Sequence, residues 1–247
     1  MKSRIGFFDS GIGGVTVLRE CLKVVPNFEY LYYSDSFNNP YGDKSNEEVL
    51  RISSSITQYL IDNECKIIVI ACNTASAICV EYLRRIYPDV YFIAIEPAVK
   101  CAYDNLEDGT LIMATKGTMD SEKFNILYDK YHRDNFYLKS CVGLANLIEN
   151  KDIDGIKTYL EDNLSDYKNK IHSVVLGCTH YPLIKEEIRK VLGDVTFYDG
   201  SVGVAKRLKQ IIIDNGFISD NSGVIFVDSS NNKDKEKRFR ELLELDK

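Results

Sequence analysis

The sequence contains no C-x-x-C pair, no Pro/Gly/Ser-rich linker, no short tandem repeat and no excess of basic residues. Each absence removes a class of protein. Seven cysteines stand at 21, 65, 72, 79, 101, 141 and 178; their odd number and spacing argue against a disulfide framework and against a structural zinc site. A formal net charge of −6 argues against nucleic acid as the main partner, because phosphate backbones are met by a basic excess or stripe. A small anionic substrate needs only a few local donors. The N-terminal MKSRIGFFDS lacks an apolar h-region and a small-residue cleavage site, and the longest apolar runs, such as Ile67 to Cys72, are far too short to span a bilayer. The expectation is a soluble, cytoplasmic protein with no membrane partner.

What is present is an ordinary globular balance, 45% hydrophobic and 28% charged, in 247 residues, enough for one large domain or two modest ones. Short runs rich in β-branched and aromatic residues predict strands over 4–8, 30–33, 67–71, 90–95, 110–114, 135–139, 173–176, 195–198 and 223–227. Amphipathic stretches between them predict helices over 15–24, 47–63, 75–87, 121–131, 152–164, 183–191, 202–215 and 233–245; in the second, Val49, Ile52, Ile56, Tyr59 and Leu60 form one stripe. This order predicts an α/β fold with parallel sheets covered by helices on both faces. Glu96-Pro97 is the best hinge candidate, and Ser229–Lys235 reads as a solvated polar stretch.

Ligands of open α/β sheets bind beyond the carboxyl ends of strands. Four polar clusters fall there: Asp9-Ser10-Gly11, Ser34-Asp35-Ser36 with Pro40-Tyr41-Gly42, Cys72-Asn73-Thr74, and Cys178-Thr179-His180. Gly11-Ile12-Gly13-Gly14 opens a helix but has the spacing of neither a dinucleotide motif nor a P-loop, and Asp9 puts negative charge where a phosphate would sit. A tight turn is the simpler reading. KIIVIACNTASA (66–77) and HSVVLGCTHYPL (172–183) share one layout of buried strand, small residue, cysteine, polar pair and helix. A thiol at a helix N-terminus can have a lowered pKa. Two thiols in matched settings suit inversion at a carbon, where one group removes a proton from one face and the other returns one to the opposite face. A cysteine–histidine hydrolase built on Cys178 and His180 is a weaker reading, since residues two apart rarely set a base against a nucleophile. A sensor for an acidic amino acid would need no paired thiols.

IGFFDSGIGG (5–14), NPYG (39–42), ACNTASA (71–77), IEP (95–97), ATKGT (114–118), Cys141 with Glu149 eight residues on, and LGCTHYPL (176–183) together resemble the glutamate racemases of the aspartate/glutamate racemase superfamily. The resemblance runs from about residue 4 to about residue 205. It implies two similar three-layer α/β domains with mostly parallel sheets and the substrate cleft between them: 1–96 with 205–247, bearing Cys72, and 97–204, bearing Cys178. It further implies Cys72 and Cys178 as the two bases, Asp9 assisting one and Glu149 and His180 the other, with no cofactor and no metal. Substrate contacts implied are Asp9, Ser10, Pro40, Tyr41, Gly42, Asn73, Thr74, Thr115, Thr118, Thr179 and His180. Glutamate is the implied substrate, D-glutamate for peptidoglycan the implied product, and a homodimer the implied assembly. Residue type alone would make Glu149 a solvated helix carboxylate and Thr115 a helix cap.

Departures from the family pattern gather around the pocket. They are Ser34-Asp35-Ser36 in place of Gly-Asp-Thr, Asn38-Asn39 before Pro-Tyr-Gly, Ala98 after Glu-Pro, Val142–Asn146 after Cys141, and Asp199-Gly200-Ser201 after Tyr198. They bear on substrate choice more than on reaction type, so racemisation of aspartate or another amino acid is the neighbouring reading.

Overall fold

The computed structural model describes residues 2–107 and 109–244. Strands β1 (Arg4–Asp9), β2 (Glu29–Ser34), β3 (Cys65–Ile70), β4 (Tyr91–Ala94), β5 (Thr110–Ala114), β6 (Phe136–Ser140), β7 (Ser173–Gly177), β8 (Thr196–Tyr198) and β9 (Gly223–Asp228) alternate with helices. The helices are α1 (Val15–Val24), α2 (Asn46–Asp62), α3 (Asn73–Ile86), α4 (Val99–Asp104), α5 (Lys116–Met119), α6 (Glu122–Tyr131), α7 (Leu144–Glu149), α8 (Ile153–Leu164), α9 (Lys185–Leu192), α10 (Ser201–Asn215) and α11 (Lys233–Glu244). The strands form two sheets, ordered β4-β3-β1-β2-β9 and β6-β5-β7-β8, and every pairing within them is parallel.

Each sheet is the middle layer of three. On one face of the five-stranded sheet Phe7, Tyr30 and Val69 pack against Leu18 of α1, Leu208 of α10 and Phe239 of α11; on the other, Phe8, Ile68 and Ile70 meet Ile56 of α2 and Val80 of α3. Leu111, Met113 and Val174 of the smaller sheet face Ile148, Leu160 and Ile188 of α7, α8 and α9, while Ile112 and Val175 face Val99 of α4 and Phe124 of α6. Burial on both faces explains the continuous apolar runs at β3 and β7.

Expected and observed elements agree to within a residue or two, with informative exceptions. Helices α4, α5 and α7 span six residues or fewer, too short to leave a periodic signature. The helix expected from Leu183 is preceded by a 3-10 turn over Tyr181–Ile184 and begins as an α-helix only at Lys185. The two cysteine segments are therefore not equivalent: Cys72 is the N-cap of α3, whereas Cys178 precedes an irregular turn. Residue Leu245, the expected end of the last helix, lies outside the described residues. The chain passes between the sheets near Glu96-Pro97 and again near Asp199-Gly200. A Cβ on Gly200 would collide with the Glu96 carbonyl and meet Ile95 Cγ1 at 2.7 Å, so the two crossings lie against each other.

Candidate active site

The carboxyl ends of both sheets open onto one small cavity of about 20 Å³, room for about one water molecule. Ser10, Asn39, Pro40, Tyr41, Gly42, Cys72, Asn73 and Thr74 line it from the five-stranded side; Thr115, Ala145, Cys178, Thr179 and His180 line it from the other. Larger hollows exist, one of about 620 Å³ behind the chain crossings; among the described residues, that one is lined by a single cysteine, Cys101. Cys72 belongs to the apolar cluster under α2 and α3, and Cys178 to the cluster under α7, α8 and α9. Each sulfur is anchored in a different core, yet both reach the same space.

On the first side, Cys72 Sγ lies 3.7 Å from Ser10 Oγ. Asp9, fully buried at the end of β1, accepts the Gly11 N–H at 2.9 Å and the Thr179 hydroxyl at 3.0 Å, so it ties the glycine turn to the opposite wall. On the second side, Cys178 Sγ lies 3.8 Å from His180 Nδ1, and His180 Nε2 donates to Glu149 Oε2 at 2.7 Å. The same Glu149 oxygen accepts the Ile12 N–H at 3.1 Å. Thr74 meets Thr115 at 2.9 Å and Thr118 at 3.3 Å across the cleft.

Among known proteins, the Asp/Glu/Hydantoin racemase family profile matches residues 16–207. A glutamate racemase of Clostridium novyi is 42% identical over 98% of this chain and 97% of its own length. The chain belongs to this family. It is an amino-acid racemase. Among solved structures, a Francisella tularensis glutamate racemase in complex with D-glutamate superposes with a TM-score of 0.81 at 31% identity, covering 98% of this chain and 93% of that one. A Bacillus anthracis glutamate racemase gives 0.83 at 29% identity, covering 98% and 94%.

The two sides of this candidate site differ in charge. Burial pushes the Cys72 thiol up to about 12, and the Asp9 carboxylate adds to this; the Ala75 N–H and the Ser10 hydroxyl pull the other way. The lowered thiol pKa expected at the α3 N-terminus is thus overturned, because burial and a nearby carboxylate outweigh the amide donors there. Burial also raises Asp9, against the lowering effects of His180, the Gly11 N–H and the Thr179 hydroxyl. For His180 the balance runs the other way. Burial lowers it, but hydrogen bonds and charge from Cys178 and Glu149 win and hold it well above the ordinary histidine range. Burial alone would raise Glu149, yet the His180 hydrogen bond, the charges of His180 and Lys235 and the Ile12 N–H bring it down to about 2.

A carboxyl depressed from 4.5 to about 2 supplies stability that is present above its unfolded value and lost as pH falls through the folded one. The size is on the order of 3 kcal/mol. Glu149→Gln is expected to be less stable than the unmodified chain at neutral pH, with the gap in unfolding free energy narrowing between about pH 4.5 and about pH 2. Urea titrations across that range check it.

Several polar residues behave differently from their sequence reading. Thr118, Asp9 and Glu149 stand behind the cavity wall rather than on it. Asp35 accepts from Tyr41 Oη at 2.6 Å and from Asn38 Nδ2 at 3.0 Å, so that cluster fixes the Pro40-Tyr41-Gly42 turn. The glycine turn serves close packing. A Cβ on Gly13 would sit 2.7 Å from both His180 Nδ1 and Thr179 Oγ1, and 2.8 Å from the His180 backbone nitrogen. Gly13→Ala is therefore expected to cut turnover at least about ten-fold by displacing His180. Gly203→Ala, where an added Cβ meets nothing within 4 Å, serves as the neutral control in the same rate assay.

Sequence reasoning placed two residues of this region only in unusual stretches around the pocket, and missed two more. Ala145 and Asn39 line the cavity. Lys235 and Arg238 reach Glu149 and its backbone from α11, so the solvated reading of the segment ending at Lys235 is corrected: Lys235 Nζ is 3.0 Å from Glu149 Oε1. The Asn38-Asn39 pair and the Val142–Asn146 stretch pointed to Asn39 and Ala145; nothing local pointed to Lys235 or Arg238. The side-chain amides of Asn39 and Asn73 are buried without a protein partner among the described residues. Such groups call for a polar ligand.

Proposed function

We propose that this racemase interconverts L- and D-glutamate without a cofactor, with Cys72 and Cys178 acting as paired acid and base on opposite faces of one α-carbon. The observation that carries this reading is the shared cavity: two thiols rooted in separate cores line one polar space. One thiolate takes the α-proton and becomes a thiol. The other thiol gives its proton to the opposite face and becomes a thiolate. Protons and charge balance, and the reverse reaction starts from the swapped state. His180, kept cationic by Glu149, places a positive charge 3.8 Å from the Cys178 sulfur. Cys72, facing Asp9, starts as the thiol. As the carbanion develops, the amides of Asn39 and Asn73 and the hydroxyls of Ser10, Thr74, Thr115 and Thr179 hold the substrate's carboxylates and ammonium in place.

A cavity of about 20 Å³ cannot hold glutamate, so substrate entry requires the two halves to part. The units that part, in this reading, are residues 1–96 with 205–247 and residues 97–204. The choice of glutamate rests on the relatives, one of them solved with D-glutamate. Supply of D-glutamate to peptidoglycan in the cytoplasm follows from that choice. The test is a panel of L-amino acids followed by chiral chromatography. Glutamate should be inverted far faster than aspartate or any neutral amino acid. A preference for aspartate would favour the neighbouring reading and assign the difference to the substituted pocket rim.

A further inference from the structure

We propose that Lys235 and Arg238, on the last helix of the chain, are positioning residues that hold the Glu149 carboxylate against His180. Glu149 divides its oxygens. Oε2 takes His180 Nε2 at 2.7 Å and the Ile12 N–H at 3.1 Å, while Oε1 takes Lys235 Nζ at 3.0 Å. A carboxylate held by both oxygens cannot rotate away from its imidazole. Arg238 grips the backbone of the same short helix: Nη2 donates to the Ile148 carbonyl at 2.9 Å and Nη1 to the Glu149 carbonyl. These are carbonyls of the last turn of α7, where cations are favoured. Lys235 and Arg238 lie three apart on α11, on the same face, and the helix is seated by Phe239 against Tyr32 and Phe226 of the five-stranded sheet. Helix α7, by contrast, packs on the four-stranded sheet. The C-terminal helix therefore reaches across from one half to fix a carboxylate of the other.

The charged groups around Glu149 are few. His180 comes from the turn after β7, Lys235 and Arg238 from α11, Asp9 from the end of β1, and the titratable Tyr32 hydroxyl from β2. Removing Lys235 deletes a cation that favours ionised Glu149 and frees one of its oxygens. The inference rests on the assignment of His180 and Glu149 to the Cys178 side of the proposed reaction.

The test compares Lys235→Met, Lys235→Arg and Arg238→Met with the unmodified enzyme in kcat, KM and melting temperature across pH. Lys235→Met is expected to lose about ten-fold in kcat with KM changed less than about two-fold. The acid limb of its kcat profile should move up by about one pH unit, because Glu149 then protonates at higher pH. Lys235→Arg should restore both. Arg238→Met should lower kcat in the same direction, since α7 loses its backbone grip. Should Lys235→Met fail to fold, Lys235→Gln keeps a donor of shorter reach and is read the same way. An unchanged pH profile in Lys235→Met would overturn the inference. So would a loss of rate that follows a lowered melting temperature, without a shifted acid limb and without rescue by arginine. Cys178→Ser is measured beside them. If it remains active, the two-thiol reading itself fails; if it is inactive while Lys235→Met is normal, only the positioning role is wrong.

Discussion

Cys72→Ser and Cys178→Ser are each expected to lower racemisation about 10³-fold or more, with little change in melting temperature. A serine hydroxyl fills nearly the same space as the thiol but ionises far less readily than a thiol with its ordinary value near 8.5. The lost acid–base step is worth about 4 kcal/mol of barrier at that fold-change. The two losses should not multiply in the double variant, because either substitution already breaks the relay from one face to the other. Chiral chromatography of glutamate, with thermal unfolding as the control for folding, checks all three proteins. An unimpaired single variant would remove that cysteine from the mechanism.

His180→Asn carries the second large effect, a fall in kcat of about 10²-fold. The imidazole is 1% exposed and lies between Cys178 Sγ and the Glu149 carboxylate, so it sets the charge beside one thiol only. Asparagine keeps a donor toward Glu149 but carries no positive charge. Without substrate, an alkylating reagent should modify Cys178 before Cys72 in the unmodified enzyme, since a positive imidazole stands 3.8 Å from the Cys178 sulfur while burial and Asp9 push Cys72 up to about 12. In His180→Asn that order should vanish. Peptide mass spectrometry after short exposures reads it directly. Preferential labelling of Cys72 in the unmodified enzyme would contradict the assigned starting state.

The strands were legible because burial on both faces of a parallel sheet demands continuous runs such as Ile67–Ile70 and Val174–Leu176; Ile211–Ile213 of α10 is a similar run, told apart by the longer amphipathic stretch around it. The paired cysteine segments were legible for a different reason: a site at strand ends concentrates polar residues in short stretches of sequence. What stayed hidden depends on distance along the chain. Glu149 owes its charge to His180, 31 positions away, and to Lys235, 86 positions away, and no local pattern encodes either contact. Ala145 was visible only as part of the unusual stretch Val142–Asn146, because the helix α7 that carries it to the cavity is too brief to show a period. The expected likeness of the two cysteine contexts failed on one feature. Tyr181-Pro182 begins a 3-10 turn, so Cys178 lacks the helix N-terminus that Cys72 caps. Its counterpart on that side is a histidine, and the site is consequently asymmetric in charge although its two halves share a layout.

The account turns on whether two separate groups serve the two faces of the α-carbon. The most direct measurement follows L-glutamate turned over in deuterium oxide to low conversion, with deuterium at Cα determined separately in product and in remaining substrate. With two bases, the D-glutamate formed carries solvent deuterium while the remaining L-glutamate stays largely protiated. Inversion that retains the original hydrogen, or substrate that gains label as fast as product, would mean that one group works both faces and would contradict the roles given to Cys72 and Cys178.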